Sequence, residues 1–284
     1  MSTHRRFQVR HRTAFHYDAP VSNSVNTLHL HPPTFPLQKT LSCFIRVLPA
    51  TRLRCFHDLY ENITHHFEIA SSHQRLEIES TLKVQNLPLV LTDADQAAVP
   101  EEEPAASYEN SLWPFLQPTP YVSFSPEIWR QAVDLTCNMT TMLEKTRAIM
   151  SWIHEHFSYD QQSTVVSSKI DEIFELKAGV CQDFTHVMLG LCRSIGIPAR
   201  YASGYLYSGP SDTLLGSQAS HAWVEIFLPD SGWIGLDPTN NTLADERFIK
   251  IAVGRDYDDV APVKGQYLGT ASCRMEVDVE VSQL

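Results

Sequence analysis

Long apolar runs are missing from this chain of 284 residues, and none approaches the roughly 18–20 residues that a membrane-spanning helix needs. The basic opening MSTHRRFQVRHR passes straight into an alternating pattern, where a secretory leader would need an apolar block. The expectation is a cytoplasmic protein with no membrane partner. Basic charge is scarce too: 22 Lys and Arg stand against 33 Asp and Glu, a formal net charge of -11. The averaged field repels phosphate backbones, so nucleic acid is not an expected partner. The six cysteines, at 43, 55, 137, 181, 192 and 273, never fall into a CxxC pair, which removes a zinc knuckle or a redox dithiol. Internal repeats, heptads and a Gly-rich phosphate loop are also lacking.

What is present suits a folded globular protein. Apolar residues make up 43% and aromatics 10% of the chain, enough for a real core, and the length suggests two domains. The front alternates with a period of two: Phe7, Val9, Thr13, Phe15 and Tyr17; then Leu41, Cys43, Ile45 and Val47; then Leu76, Ile78, Leu82 and Val84. One apolar face per strand predicts a sandwich-like, β-rich domain over 1–95. An acidic, proline-rich stretch follows, and 96–124 is expected to be a linker packed on the surface, with Trp113, Phe115 and Tyr121 lying down.

Residues 125–284 change rhythm and form the second expected domain, an α+β unit. Ser125 before Pro126 is a helix start, with Ile128, Ala132, Leu135 and Met139 as the buried stripe. Thr141 and Glu144 make a capping box for the next helix. Phe184, Val187, Met188, Leu191 and Ile195 mark a third, ended by Gly196 and Pro198. Strands return at 200–207, 220–228, 232–237 and 275–281, the last free to join either sheet. The loop at 208–218 is long enough to border a cleft.

Three residues carry the chemistry. Cys181 stands in the first turn of the third helix, where free backbone amides and the positive end of the dipole favour a thiolate and can face an oxyanion. A buried structural cysteine is the plainer reading of that residue alone. His221 shares a strand face with Trp223, Glu225 and Phe227, while Ala222, Val224, Ile226 and Leu228 form the core side. His221 is therefore expected to point away from the deepest apolar layer. Asp237 ends the following strand, either to orient the imidazole or simply to bond the amides of a DPTN turn. A three-residue connection, Pro229 to Ser231, would put Trp223 opposite Asp237 and make His221 its diagonal neighbour on one face, whereas a two- or four-residue connection without a bulge would send Asp237 to the side of Val224.

The stretches GVCQDFTHVMLGLCRSIGIPARYASGYLY and SHAWVEIFLPDSGWIGLDPTN resemble the core of bacterial transglutaminase-like proteins, relatives of papain-type thiol enzymes. The likeness continues through ADERFIKIAVGRDYDDVAPVKG, and the front resembles the β-rich N-terminal domain of one bacterial branch. It implies a papain-like core with Cys181 as nucleophile, His221 as acid-base partner and Asp237 as the residue that orients it. Two positions depart from the pattern: Glu61-Asn62 where Gly-Asn is common, and Phe248 where a histidine usually follows ADER.

The implied activity is attack on peptide or glutamine amide carbonyls through a thioester, hydrolytic and protease-like. Transfer to an amine, deamidation and a non-catalytic binding scaffold are the alternatives. A peptide or protein substrate, with an amine co-substrate in the transfer case, is the expected partner. Gln182, Asp183, Trp223 and Tyr159 are candidates for site support, and Tyr159, Gln161 and Gln162 for the second oxyanion donor. His29 and His31, with His57, His65 or His66, can be drawn as a metal site, and Asp256, Asp258 and Asp259 as a calcium loop. A polar strand face and the lack of alternating oxygen ligands argue against both, so neither metal nor cofactor is expected.

Overall fold

The computed structural model describes residues 4–91, 111–163, 168–209, 214–216, 219–229 and 231–284. The expectations for 96–110, and for most of the 208–218 loop, lie outside them. The alternating front becomes five antiparallel strands: β1 (Arg5–His31), β2 (Gln38–Leu48), β3 (Arg54–His57), β4 (Ile63–Ile69) and β5 (His73–Asn86). β1 is long enough to serve two ladders. Its first half pairs with β5, which pairs with β2, and its second half pairs with β4, which pairs with β3. The β1–β5 register breaks between His16 and Val21. Val47, Leu76 and Ile78 of one ladder meet Leu28, Leu30, Phe67 and Ile69 of the other in a shared core, the arrangement of a sandwich.

The helical rhythm yields α1 (Pro126–Thr136), α2 (Met142–His156), the two-residue β6 (Ser158–Tyr159), α3 (Ile170–Leu176), the two-residue β7 (Ala178–Gly179) and α4 (Cys181–Ser194). Ser125 caps α1 by accepting from the Ile128 amide, and Thr141 with Glu144 closes the capping box of α2. α1 stops at Thr136, so Met139 falls outside it, because Glu144 already holds the amides of Thr140 and Thr141 for the next helix. α4 is buried almost all round, among α1 to α3 and a sheet, and Gly196 ends it at φ 79°.

That sheet contains β8 (Ala199–Leu206), β9 (His221–Leu228), β10 (Gly232–Asp237), the two-residue β11 (Thr242–Leu243) and β12 (Phe248–Gly254), in the order β11-β10-β9-β8-β12. After the short α5 (Tyr257–Val260), β13 (Val263–Leu268) and β14 (Cys273–Gln283) return to pair with the second and first halves of β1. The chain thus ends in the sheet where it began. Among the described residues no helix is long and apolar enough to cross a membrane.

The two units are joined by side-chain amides that close the open edge of β12. Asn62 donates to the Val253 carbonyl at 2.7 Å and accepts from its amide at 2.8 Å. Gln38 does the same for Lys250 at 2.7 and 2.8 Å, and Asn86 donates to the carbonyls of Glu246 and Phe248. An edge strand is covered without a ladder, which removes a template for wrong pairing. Glu61 beside Asn62 takes φ 62°, the left-handed region where glycine is easiest. Leu112, Phe115, Leu116 and Val122 are buried ahead of α1, while Trp113 is exposed and Tyr121 packs at the core margin.

Candidate active site

The β9–β10 turn sets the geometry. Leu228 pairs with Gly232 and Val224 with Leu236, the register of a three-residue connection. One step further, Trp223 stands opposite Asp237 and His221 is the diagonal neighbour. His221 Nε2 lies 2.8 Å from Asp237 Oδ2, with both side chains fully enclosed. The Asp237 carboxylate also accepts from the Thr239 amide at 2.9 Å and from Asn240 Nδ2 at 2.7 Å. It therefore orients the imidazole and caps its own turn at once. Asn240 in turn clamps both backbone groups of Leu215, tying the cleft-side loop to the carboxylate.

The other imidazole nitrogen, Nδ1, is buried and has no hydrogen-bond partner of normal geometry. The Cys181 thiol is close enough to help hold the ring's proton. Burial alone would lower the His221 pKa, but the charge and hydrogen bond of Asp237, with the Cys181 thiol behind them, outweigh it and raise it to about 10. Cys181 itself begins α4 and is 9% exposed. Gly216, at φ 83°, comes in over the ring: a Cβ there would lie 2.5 Å from Nδ1. Phe248 and Trp223 pack on the remaining sides, with ring centroids 6.0 and 6.2 Å from the imidazole.

His221 does point away from the apolar layer on α4, but that direction does not lead to solvent: it is 1% exposed, as is Trp223. The face opposite the helices is covered by Ala202, Leu206, Phe248 and Val253, with Tyr60 of the N-terminal unit packed against them. Alternation separates the two faces of β9 correctly but says nothing of this second covering layer.

The supporting candidates divide. Asp183 is buried and accepts from the Val180 amide at 2.8 Å, so it caps its own helix. Gln182 sits beside it, part-exposed, in the first turn. Tyr159 pairs with Gly179 across β6 and β7, and its hydroxyl is pushed up to about 12 by burial, with the nearby Cys181 and Asp237 adding to it. Gln161 and Gln162 are exposed. Asp256 caps α5, Asp258 pairs with Lys264, and Asp259 with Arg255. His29 Nδ1 donates to the Ala261 carbonyl, and His31 stacks on His65 at 5.5 Å. Asn240, Gly216 and Phe248 were not singled out as site residues by sequence. Only Asn240, following Asp237 in the turn, carried a usable signal.

Residues 130–238 match the model of the transglutaminase-like superfamily, and 7–85 that of the bacterial transglutaminase-like N-terminal region. An uncharacterized protein of Mycobacterium leprae is 31% identical over 290 residues, covering 98% of this chain and 99% of its own. The chain belongs to the transglutaminase-like superfamily. A solved structure of a candidate cysteine protease from Cytophaga hutchinsonii has the same fold, with a TM-score of 0.82 over 100% of this chain and 92% of that one, at 23% identity. A protein-glutamine gamma-glutamyltransferase of Pseudomonas aeruginosa is 34% identical over 92 residues, 30% of this chain and 14% of that protein.

Proposed function

We propose that this protein is a cysteine-dependent hydrolase that attacks peptide or glutamine amide carbonyls through a thioester on Cys181. The observation that carries the reading is the enclosed 2.8 Å bond from His221 Nε2 to Asp237, which leaves Nδ1 unbonded beside the thiol. The thiol proton passes to Nδ1, giving an imidazolium stabilised by Asp237 and a thiolate at the positive end of α4. The thiolate attacks the carbonyl carbon, and backbone amides of the first turn of α4 face the developing oxyanion. The imidazolium then protonates the leaving nitrogen, which departs as ammonia or an amine. Water adds to the thioester with the imidazole as base, releasing the acid and restoring the thiol.

A second reading is transfer to a primary amine, favoured by the glutamyltransferase named among the relatives. The same three residues serve both outcomes, and access of a second substrate separates them. Mass spectrometry of a glutamine-peptide library, incubated with and without a primary amine, distinguishes hydrolysis, deamidation and an amine adduct. Brief treatment with iodoacetamide should mark Cys181 ahead of exposed Cys55, Cys137 and Cys273, and only while His221 is intact. Uniform labelling that ignores His221, together with no product from any peptide, would leave the binding-scaffold reading in its place.

A further inference from the structure

On the sheet face turned away from α4, a cavity of about 410 Å³ opens between β9, β10 and β12 and the N-terminal unit. That is within the roughly 300–1,000 Å³ typical of small-molecule sites. Cys181 and His221 do not line it, whereas Trp223 and Phe248 do, and both pack on the imidazole from its side. The cavity is therefore a neighbour of the candidate active site and not part of it.

Its wall carries an unbalanced set of polar groups. Arg200 and Lys250 each reach Glu225 at 2.7 Å, one on each oxygen, with all three side chains largely enclosed. Two cations share one carboxylate, so one positive charge is left over. The nearby Asp245 and Glu246 do not cancel it, because they are taken by Arg247 and Arg5. Aromatic rings back both cations: Arg200 lies 4.0 Å from the Trp233 ring centre and Lys250 4.2 Å from that of Phe35. Two more lining groups are buried and unsatisfied. Trp223 Nε1 has a proton and no acceptor, and it lies against Gly235, where a Cβ would come within 3.1 Å of it. Asn86 spends its amino group on two carbonyls, and its Oδ1 has no donor. Buried polar atoms left this way are costly unless something completes them.

We propose that this cavity binds an N-acylated amino acid with a free carboxylate and an apolar side chain, either as a small molecule or as the C-terminal residue of a peptide. The carboxylate meets the surplus charge of Arg200 and Lys250. The acyl oxygen accepts from the Trp223 indole, the amide N–H donates to Asn86 Oδ1, and the side chain lies against Leu37 and Leu87. The site is an equilibrium binding site and does not rest on the thiol chemistry proposed above.

Calorimetry on the full chain carrying Cys181→Ala, which keeps any thiol reaction out of the heats, tests this with three probes. N-acetyl-L-leucine should bind at least about tenfold more tightly than N-acetyl-L-leucinamide, which lacks the charge. Lys250→Gln, which leaves Arg200 and Glu225 as a neutral pair, should abolish that preference and leave the amide's affinity unchanged. An acetylated tetra-alanyl-leucine peptide with a free carboxylate identifies the source: affinity equal to that of N-acetyl-L-leucine assigns the site to chain ends, and weaker binding by tenfold or more assigns it to small molecules. Equal binding of acid and amide overturns the proposal, as does no binding of either at millimolar concentration, or an acid preference that survives Lys250→Gln. If that variant does not fold, Trp223→Phe, which deletes only the indole donor and ring, should weaken acid and amide alike, and unchanged affinity for both overturns the proposal as well.

Discussion

The two faces of β9 are buried to a similar degree and are built on opposite principles. Ala222, Val224, Ile226 and Leu228 pack on α4 as plain apolar surface, while His221, Trp223 and Glu225 face the other way with their polar atoms engaged or waiting. The apolar face is tolerant, because dispersion and burial have no direction and volume can be made up by neighbours. The polar face is not, because each buried charge depends on particular partners. Tolerant packing and strict pairing are thus separated by a single strand's alternation.

The comparison is sharpest where His221 is removed. His221→Ala should slow Cys181 alkylation and peptide turnover by roughly 10²–10⁴-fold, the usual worth of a positioned base, while the melting curve shows a folded protein. Alkylation at the parental rate would mean that the thiol is independent of the polar face.

Asp237→Asn should come next, and its signature is a pH dependence. The folded protein holds the His221 proton more tightly than the unfolded chain does, since the pKa is raised from 6.5 to about 10. The stabilisation this confers is complete below about 6.5 and is lost as pH rises through about 10. Without the Asp237 charge the imidazole pKa falls. The difference in Tm between parent and variant should accordingly be at its full width at about pH 6.5 and below and shrink toward pH 10, and a constant gap from pH 6.5 to 10 would show that the charge on Asp237 is not what raises it.

Glu225→Gln strands Arg200 and Lys250 together in the wall of the sheet, and it should cost about 3–5 kcal/mol by denaturant unfolding. Directly behind it on the apolar face, Ile226→Val should cost only about 0.5–1.5 kcal/mol. Comparable losses at the two positions would erase the distinction between the faces.

Much of the site was legible from local pattern. The count of three residues between β9 and β10 was enough to put His221 and Asp237 on one face, whereas Cys181 at the start of an apolar-striped helix stood out only together with the family resemblance. The caps of α1 and α2 were equally readable, since Ser125, Thr141 and Glu144 bond within their own turns. β12 was not: FIKIAVG has no alternation to read, because both of its faces are covered, and its outer edge is closed by Asn62, Gln38 and Asn86 from far away in sequence. α3 is too short for a stripe to declare itself. The return of β13 and β14 to β1 also left no local trace, since alternation marks a strand without naming its neighbour.

Periodicity and turn length by themselves determined which residues share a face, where helices begin, and that His221 and Asp237 are diagonal partners, because these follow from bond geometry over a few residues. Tertiary structure alone decided that the His221 face is buried, that α4 brings Cys181 to the free imidazole nitrogen, and that Gly216 closes over it. Each of those depends on segments distant in sequence meeting to exclude water, and only the packed molecule specifies such meetings.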